Sequence, residues 1–265
     1  MKREYRPRAR RAVATVSAIL WGIGFFGLID LIAIFLPVEE NFYEQYMLEA
    51  GWGVLYFVLV TVPLLSVAFV PALTSPVTQV ALAGVAVAVA AVLTLTGPQL
   101  LPAAALMMIA AVLYLLGSPP IEAPTAGGQR SDGPATRPDI PTLLLAGAAA
   151  VPLIWFTVDV SADVRTGLRP NDDISAGLTH WPMQVALALA ILATAALTAL
   201  RQSGWQVSAW TVTIGTAWMG VLSVVYPHHA GSFGALGGSA AILWSALFGA
   251  ATLSRARSPQ ASYRR

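Results

Sequence analysis

Residues 77–97, VTQVALAGVAVAVAAVLTLTG, run for 21 positions without a charge. As a helix this stretch rises about 30 Å, the hydrocarbon thickness of a bilayer. A soluble helix would need a polar face, and this one has none. Similar runs recur along the chain. Of its 265 residues 57% are hydrophobic and 11% charged, whereas roughly a quarter are charged in ordinary soluble domains. The expected class is an all-α polytopic membrane protein.

Eight transmembrane helices are expected, at about residues 13–36, 52–72, 77–97, 99–117, 141–160, 182–200, 206–226 and 234–253. The opening MKREYRPRARR resembles a signal-peptide n-region, but the apolar run behind it is long and lacks a small-residue cleavage site, so it reads as an uncleaved first span. With eight spans and the amino terminus inside, thirteen basic residues face the cytoplasm: six in the first eleven positions, then Arg130, Arg137, Arg201, Arg255, Arg257, Arg264 and Arg265. Only Arg165 and Arg169 fall outside, which satisfies the positive-inside rule; the flipped topology would invert it. Glu39, Glu40, Glu44, Glu49, Asp159, Asp163, Asp172 and Asp173 all fall outside. Both termini, 1–12 and 254–265, are therefore expected in the cytoplasm. Fourteen arginines against one lysine, with abundant alanine, point to a bacterial plasma membrane and a GC-rich genome.

Segment 118–140 is rich in Pro and Gly and reads as a flexible cytoplasmic linker between two four-helix halves, 13–117 and 141–253. A shift of 129 residues superposes Asp30 on Asp159, Trp52 on Trp181 and Pro98 on Pro227 without gaps. A parallel tandem repeat is the expectation, since each half holds an even number of spans.

Polar chemistry gathers at the outer ends. Segment 38–51 spaces Phe42, Tyr46 and Ala50 four apart among acids, as an amphipathic helix in the outer interface would, capping the bundle or attracting cations. Apart from Asp159 at the very end of the fifth span, Asp30 is the one charged residue inside a span, where a centrally placed aspartate costs about 2.5–3.5 kcal/mol on insertion scales. It faces the bundle interior or a wet cavity. Pro63 and Pro152 remove a backbone hydrogen bond and bend the second and fifth spans, which can frame a cavity. In the last span Gly234 and Gly238, then Ala241, Ser245 and Gly249, set small residues at a spacing that lets helices approach closely.

His180, His228 and His229 all lie at outer helix ends, on the same side as Asp159 and Asp163. Together they are candidates for a zinc site of the three-histidine or two-histidine-carboxylate type, or for acid–base or pH-sensing work. Adjacent His228 and His229 diverge on any regular element, so only one joins His180, and interfacial preference alone also explains their positions. With no cysteine there are no disulfides, thiolate metal sites, iron–sulfur clusters or covalent haem. No phosphate-binding glycine loop, nucleophile elbow or nucleotide fingerprint is present. The basic residues are accounted for by topology, so no nucleic-acid partner is expected.

In layout, two four-helix units with both termini inside and an acidic first outer loop, the chain resembles the haem A synthases. That family ligates haem through histidines of the second and fourth helix of each half. Here spans two, four and eight have no histidine and only His180 borders span six, so haem is not expected. The His-x-x-x-His pair of alkaline-ceramidase-like hydrolases is also missing.

The expectation is a non-enzymatic membrane protein, transporter-like or accessory, whose halves hold a small molecule or lipid near the outer leaflet. Asp30, Trp52, Asp159 and Trp181 would line the opening. A metal-dependent enzyme with an outer His/Asp site, and a scaffold for a membrane protein partner, are the alternatives. The topology is testable because the chain has no native cysteine. In intact cells a membrane-impermeant maleimide should label Ala176→Cys and spare Ser131→Cys; the reverse pattern would overturn the orientation.

Overall fold

The computed structural model describes residues 6–35, 46–117, 138–169 and 180–253, which are all-helical, with no strand among them. Seven helical segments are long and apolar enough to cross a membrane: Tyr46–Phe69, Ser75–Thr94, Gly97–Leu115, Ile140–Thr166, His180–Ala199, Trp205–Val225 and Gly234–Thr252. Ahead of them the pair Pro7–Gly24 and Gly27–Phe35 also passes, bent by 51° at a break. The chain is thus a polytopic helical protein of the multi-pass membrane type. Residues 118–137 of the expected linker and 38–45 of the expected amphipathic segment lie outside the described residues, and the last residues of that linker, Asp139 and Ile140, open α7 instead.

The break has a local cause. Helix α1 (Pro7–Ile19) widens into a π turn at Leu20–Gly24, and Phe26 then takes a left-handed conformation with φ 61°. That conformation costs a non-glycine residue roughly 1–2 kcal/mol. The short helix α2 (Gly27–Ile32) restarts in a new direction, and Trp52 Nε1 donates to the Phe25 carbonyl at 3.1 Å, satisfying an acceptor that the break releases. Only glycines fit where the restarted helix meets the next span. A Cβ on Gly53 would sit 2.1 Å from the Leu31 nitrogen, and one on Gly27 would sit 2.8 Å from the Trp21 carbonyl oxygen.

The segment Tyr46–Phe69 begins as α3 (Tyr46–Gly53), passes through a π stretch at Val54–Thr61 and ends as α4 (Val62–Phe69). The described part of the expected interfacial segment, Tyr46 onward, is buried and continues into this span. Pro63 has no N–H for the Leu59 carbonyl. Gln79 of α5 (Ser75–Thr94) supplies one, its Nε2 donating to Leu59 at 3.1 Å.

After α6 (Leu100–Leu115) come α7 (Ile140–Thr166), α8 (His180–Ala199), α9 (Trp205–Val225) and α10 (Gly234–Leu253). Helix α8 is the centre: it packs on α5, α7, α3 and α9, and 78% of its apolar window is buried, against 22% for α7 and for α10. The α9–α10 pair makes the most extensive helix–helix contact. A Cβ on Gly238 would lie 2.6 Å from the Gly220 carbonyl oxygen, and one on Gly220 would lie 2.8 Å from that of Gly238.

One end of the bundle is closed by two ionic clamps. Arg10, counted above with the basic amino terminus, is buried and donates to the carbonyls of Gly117 and, at 2.9 Å, Leu73. Arg201 pairs with Asp139, reaches the Thr252 carbonyl and stacks 3.8 Å above the Trp205 ring. Both bring charge-assisted donors to carbonyls at helix ends, which have no intrahelical partner.

Introducing side chains at the glycine crossing should therefore be severe where backbone faces backbone. Gly238→Val is expected to lose 3 kcal/mol or more, about the upper end of overpacking penalties, whereas Gly147→Ala, with nothing within 4 Å, should be neutral. Thermal unfolding of the two variants checks this; equal stability would contradict the crossing.

Candidate functional site

The second set of four helices encloses a cavity of about 560 Å³. It exists because α7 and α10 approach each other at two places and stay apart between them. At one end the rings of Phe156 and Phe233 meet edge to face at 5.6 Å. Further along, Trp244 Nε1 donates to the Leu145 carbonyl at 2.9 Å. Between these ties the cavity is lined on α7 by Ala148, Ala149 and Pro152 and on α10 by Gly237, Ala240 and Ala241, side chains too short to fill the gap. Met219 and Ile191 form the wall from α9 and α8.

Pro152 shapes the α7 wall chemically as well. It leaves the carbonyl of Ala148, four residues earlier, without its ordinary helix donor. Pro152 does line a cavity, within a helix that runs unbroken from Ile140 to Thr166. A volume in the range of about 300–1,000 Å³ with mostly apolar walls and few polar groups is the usual form of a small-molecule site.

Three polar side chains break the apolar lining: Arg169, Thr216 and Ser232, whose hydroxyl is engaged with the Ser223 carbonyl and the Gly234 N–H. At the rim is Arg169, whose Nε donates to Asp163 at 2.8 Å and Nη2 to Asp159 at 3.1 Å. Its guanidinium lies 4.5 Å over the Trp181 ring. Helix α7 runs to Thr166, six residues past the expected end of the fifth span, and this extension carries Asp163 to the contact. Deeper in the wall is Thr216, halfway along α9.

Comparison with protein-family models, curated proteins and solved structures found no match.

The structure sorts the residues expected at an outer opening into two groups beside the first turn of α8. Asp159, Asp163 and Trp181 converge through Arg169 at the cavity rim, though none of the three lines the cavity. Asp30, Trp52 and His180 belong to another neighbourhood. His180 is buried, its ring 5.4 Å from that of Trp52, and Asp30 lies within electrostatic reach of His180 and Glu49. Trp52 there joins an aromatic stack with Phe25 and Tyr56, and Trp21 stacks on Tyr56 in turn. The cavity thus sits inside the second half, and Asp30 and Trp52 do not line it.

His229 packs against Tyr226 at 5.0 Å in the turn after α9, where His228 also lies. Among the described residues no group of three or more His, Cys, Asp or Glu is placed to hold a metal ion. Asp159 and Asp163 already face a guanidinium, so a zinc ion there would have to displace Arg169.

The residues missed from sequence are Arg169, Thr216 and the small side chains of the α7–α10 seam. Arg169 had a visible signal: it is one of two basic residues on an otherwise acidic side. Thr216 had none, since threonine is common in apolar helices.

Proposed function

We propose that the chain is an eight-span membrane protein, built from two parallel four-helix units with both termini in the cytoplasm, that holds an apolar small molecule or lipid in the cavity of its second unit. The bent pair α1–α2 then counts as one span, and the Arg169 rim faces the outer side of a plasma membrane. The observation that carries the function is the apolar cavity between α7 and α10, bordered by one cationic side chain. Along the helices its lining runs from Ala148 to Phe156 and from Gly237 to Trp244, about 10–12 Å at 1.5 Å per residue. It starts at the rim turn and ends midway along α10, a depth matching one leaflet.

Contacts between equivalent positions support the repeat. At an offset of 129, Thr74 falls on Ser203, and the Thr74 N–H donates to the Ser203 carbonyl at 3.1 Å. A twofold relation demands such contacts of an element with its own mate. The same offset puts Arg10 on Asp139, and each anchors one of the ionic clamps. Ile23, inside the π turn of the first span, falls on Pro152, so the first helix of each unit is perturbed at one depth.

Exposure on the seam suits entry from the bilayer: Trp155 and Val151 of α7 are 76% and 75% exposed. Arg169, held by two carboxylates, is nearly neutralised and acts as a polar lid edge rather than as an anion trap. This favours a binding or accessory role.

Native mass spectrometry of protein extracted from its own membrane tests the reading. The wild type should retain one apolar molecule per chain, and Ala241→Trp, which fills the cavity, should lose it. Equal retention by both, or none by the wild type, would overturn the cavity as the binding site.

A further inference from the structure

Most membrane-buried threonines in this bundle bond back to the carbonyl one turn earlier. Thr94 donates to Ala90 at 2.7 Å, Thr198 to Thr194 at 2.9 Å, Thr213 to Ala209 at 2.8 Å and Thr252 to Phe248 at 2.7 Å. Thr216 does not. Its Oγ1 is buried and has no hydrogen-bond partner among the described residues, and its side chain lines the cavity. An unmet buried hydroxyl loses about 1–3 kcal/mol, so it needs a partner that the protein does not itself supply.

The partner's chemistry follows from position. Thr216 stands eleven residues into α9, level with the middle of the bundle, whereas Arg169, Gly231 and Phe233 mark the rim. The hydroxyl therefore lies toward the buried part of the cavity. Ala148 lines the same space, and Pro152 deprives its carbonyl of the ordinary helix donor. A phospholipid acyl chain entering with its methyl end first would leave both unmet. A molecule whose leading end carries a hydroxyl can accept from Thr216 and donate to the carbonyl.

Resting on the reading of the cavity as a binding site, we infer that its ligand is an elongated neutral amphiphile that enters between α7 and α10 with a terminal hydroxyl inward, anchored by Thr216. Arg169, occupied by Asp159 and Asp163, stays at the rim and does not select charge.

A matched pair of probes tests this: tritiated 1-decanol and tritiated decane, bound to the full chain in nanodiscs and counted as the excess over empty nanodiscs. The wild type should hold 1-decanol about tenfold more tightly than decane, the upper end of the effect of one net hydrogen bond. Thr216→Val should bring 1-decanol down to the decane level, Thr216→Ser should keep the preference, and Ala241→Trp should abolish excess binding of both. Equal binding of the two probes by the wild type, both lost in Ala241→Trp, would overturn the anchor and leave the cavity reading standing. A tenfold preference that survives in Thr216→Val would do the same. If neither probe binds the wild type above the Ala241→Trp level, the cavity reading fails and the anchor with it. Should Thr216→Val not fold, the wild type and Thr216→Ser still decide the matter through their preference between the probes.

Discussion

Apolar helices gain nothing by moving side chains out of hydrocarbon and into contact with one another, so in a bilayer they associate only as closely as their surfaces fit. The bundle follows that constraint in both directions. Where glycines oppose each other, as Gly220 and Gly238 do, α9 and α10 touch backbone to backbone. Where Gly53 opposes Leu31, the restarted helix α2 is seated against α3 in the same way. Small residues on α7 and α10 do something else. Phe156–Phe233 and the Trp244–Leu145 hydrogen bond prop the helices apart, and alanines and glycines cannot bridge the remaining width. The same residue types thus make a close crossing in one place and a cavity in another, depending on what holds the helix axes.

A second constraint is that hydrocarbon offers no partner for a freed backbone group. Most polar side chains in the bundle answer it. Trp52 meets the carbonyl released by the break at Phe25, Gln79 meets the one released by Pro63, and Arg10 meets carbonyls at Leu73 and Gly117. These residues are engaged in holding the fold, and their conspicuous chemistry is no sign of a site. Against that background Thr216 matters because it lines the cavity and its buried hydroxyl has no partner among the described residues.

The sequence exposes the helices well and the site poorly, for physical reasons. Hydrophobic length is a one-dimensional signal, and the expected ends of the last three spans lie within two residues of the observed helices. The first span departs more, because nothing in LWGIGFFG besides its glycines foretells a left-handed Phe26. The fifth was drawn too short, since charged Asp163 and Arg165 suggested a loop where the helix simply continues past the apolar run. Candidate site residues were chosen for their chemistry at one side of the membrane. Three of the eight, Asp159, Asp163 and Trp181, do meet, but around an arginine whose sequence position marks only topology. The cavity itself arises from what is absent at Ala148, Gly237 and Ala241. A sequence shows small residues without showing whether their neighbours fill in.

The account rests on that space being occupied in the membrane. An experimental density map of the protein in nanodiscs formed from its own lipids is the most direct measurement. The account predicts elongated non-protein density between α7 and α10, running from the Arg169 rim toward Thr216. A seam closed by contact of Pro152 with Ala241, with no space between them, would contradict it.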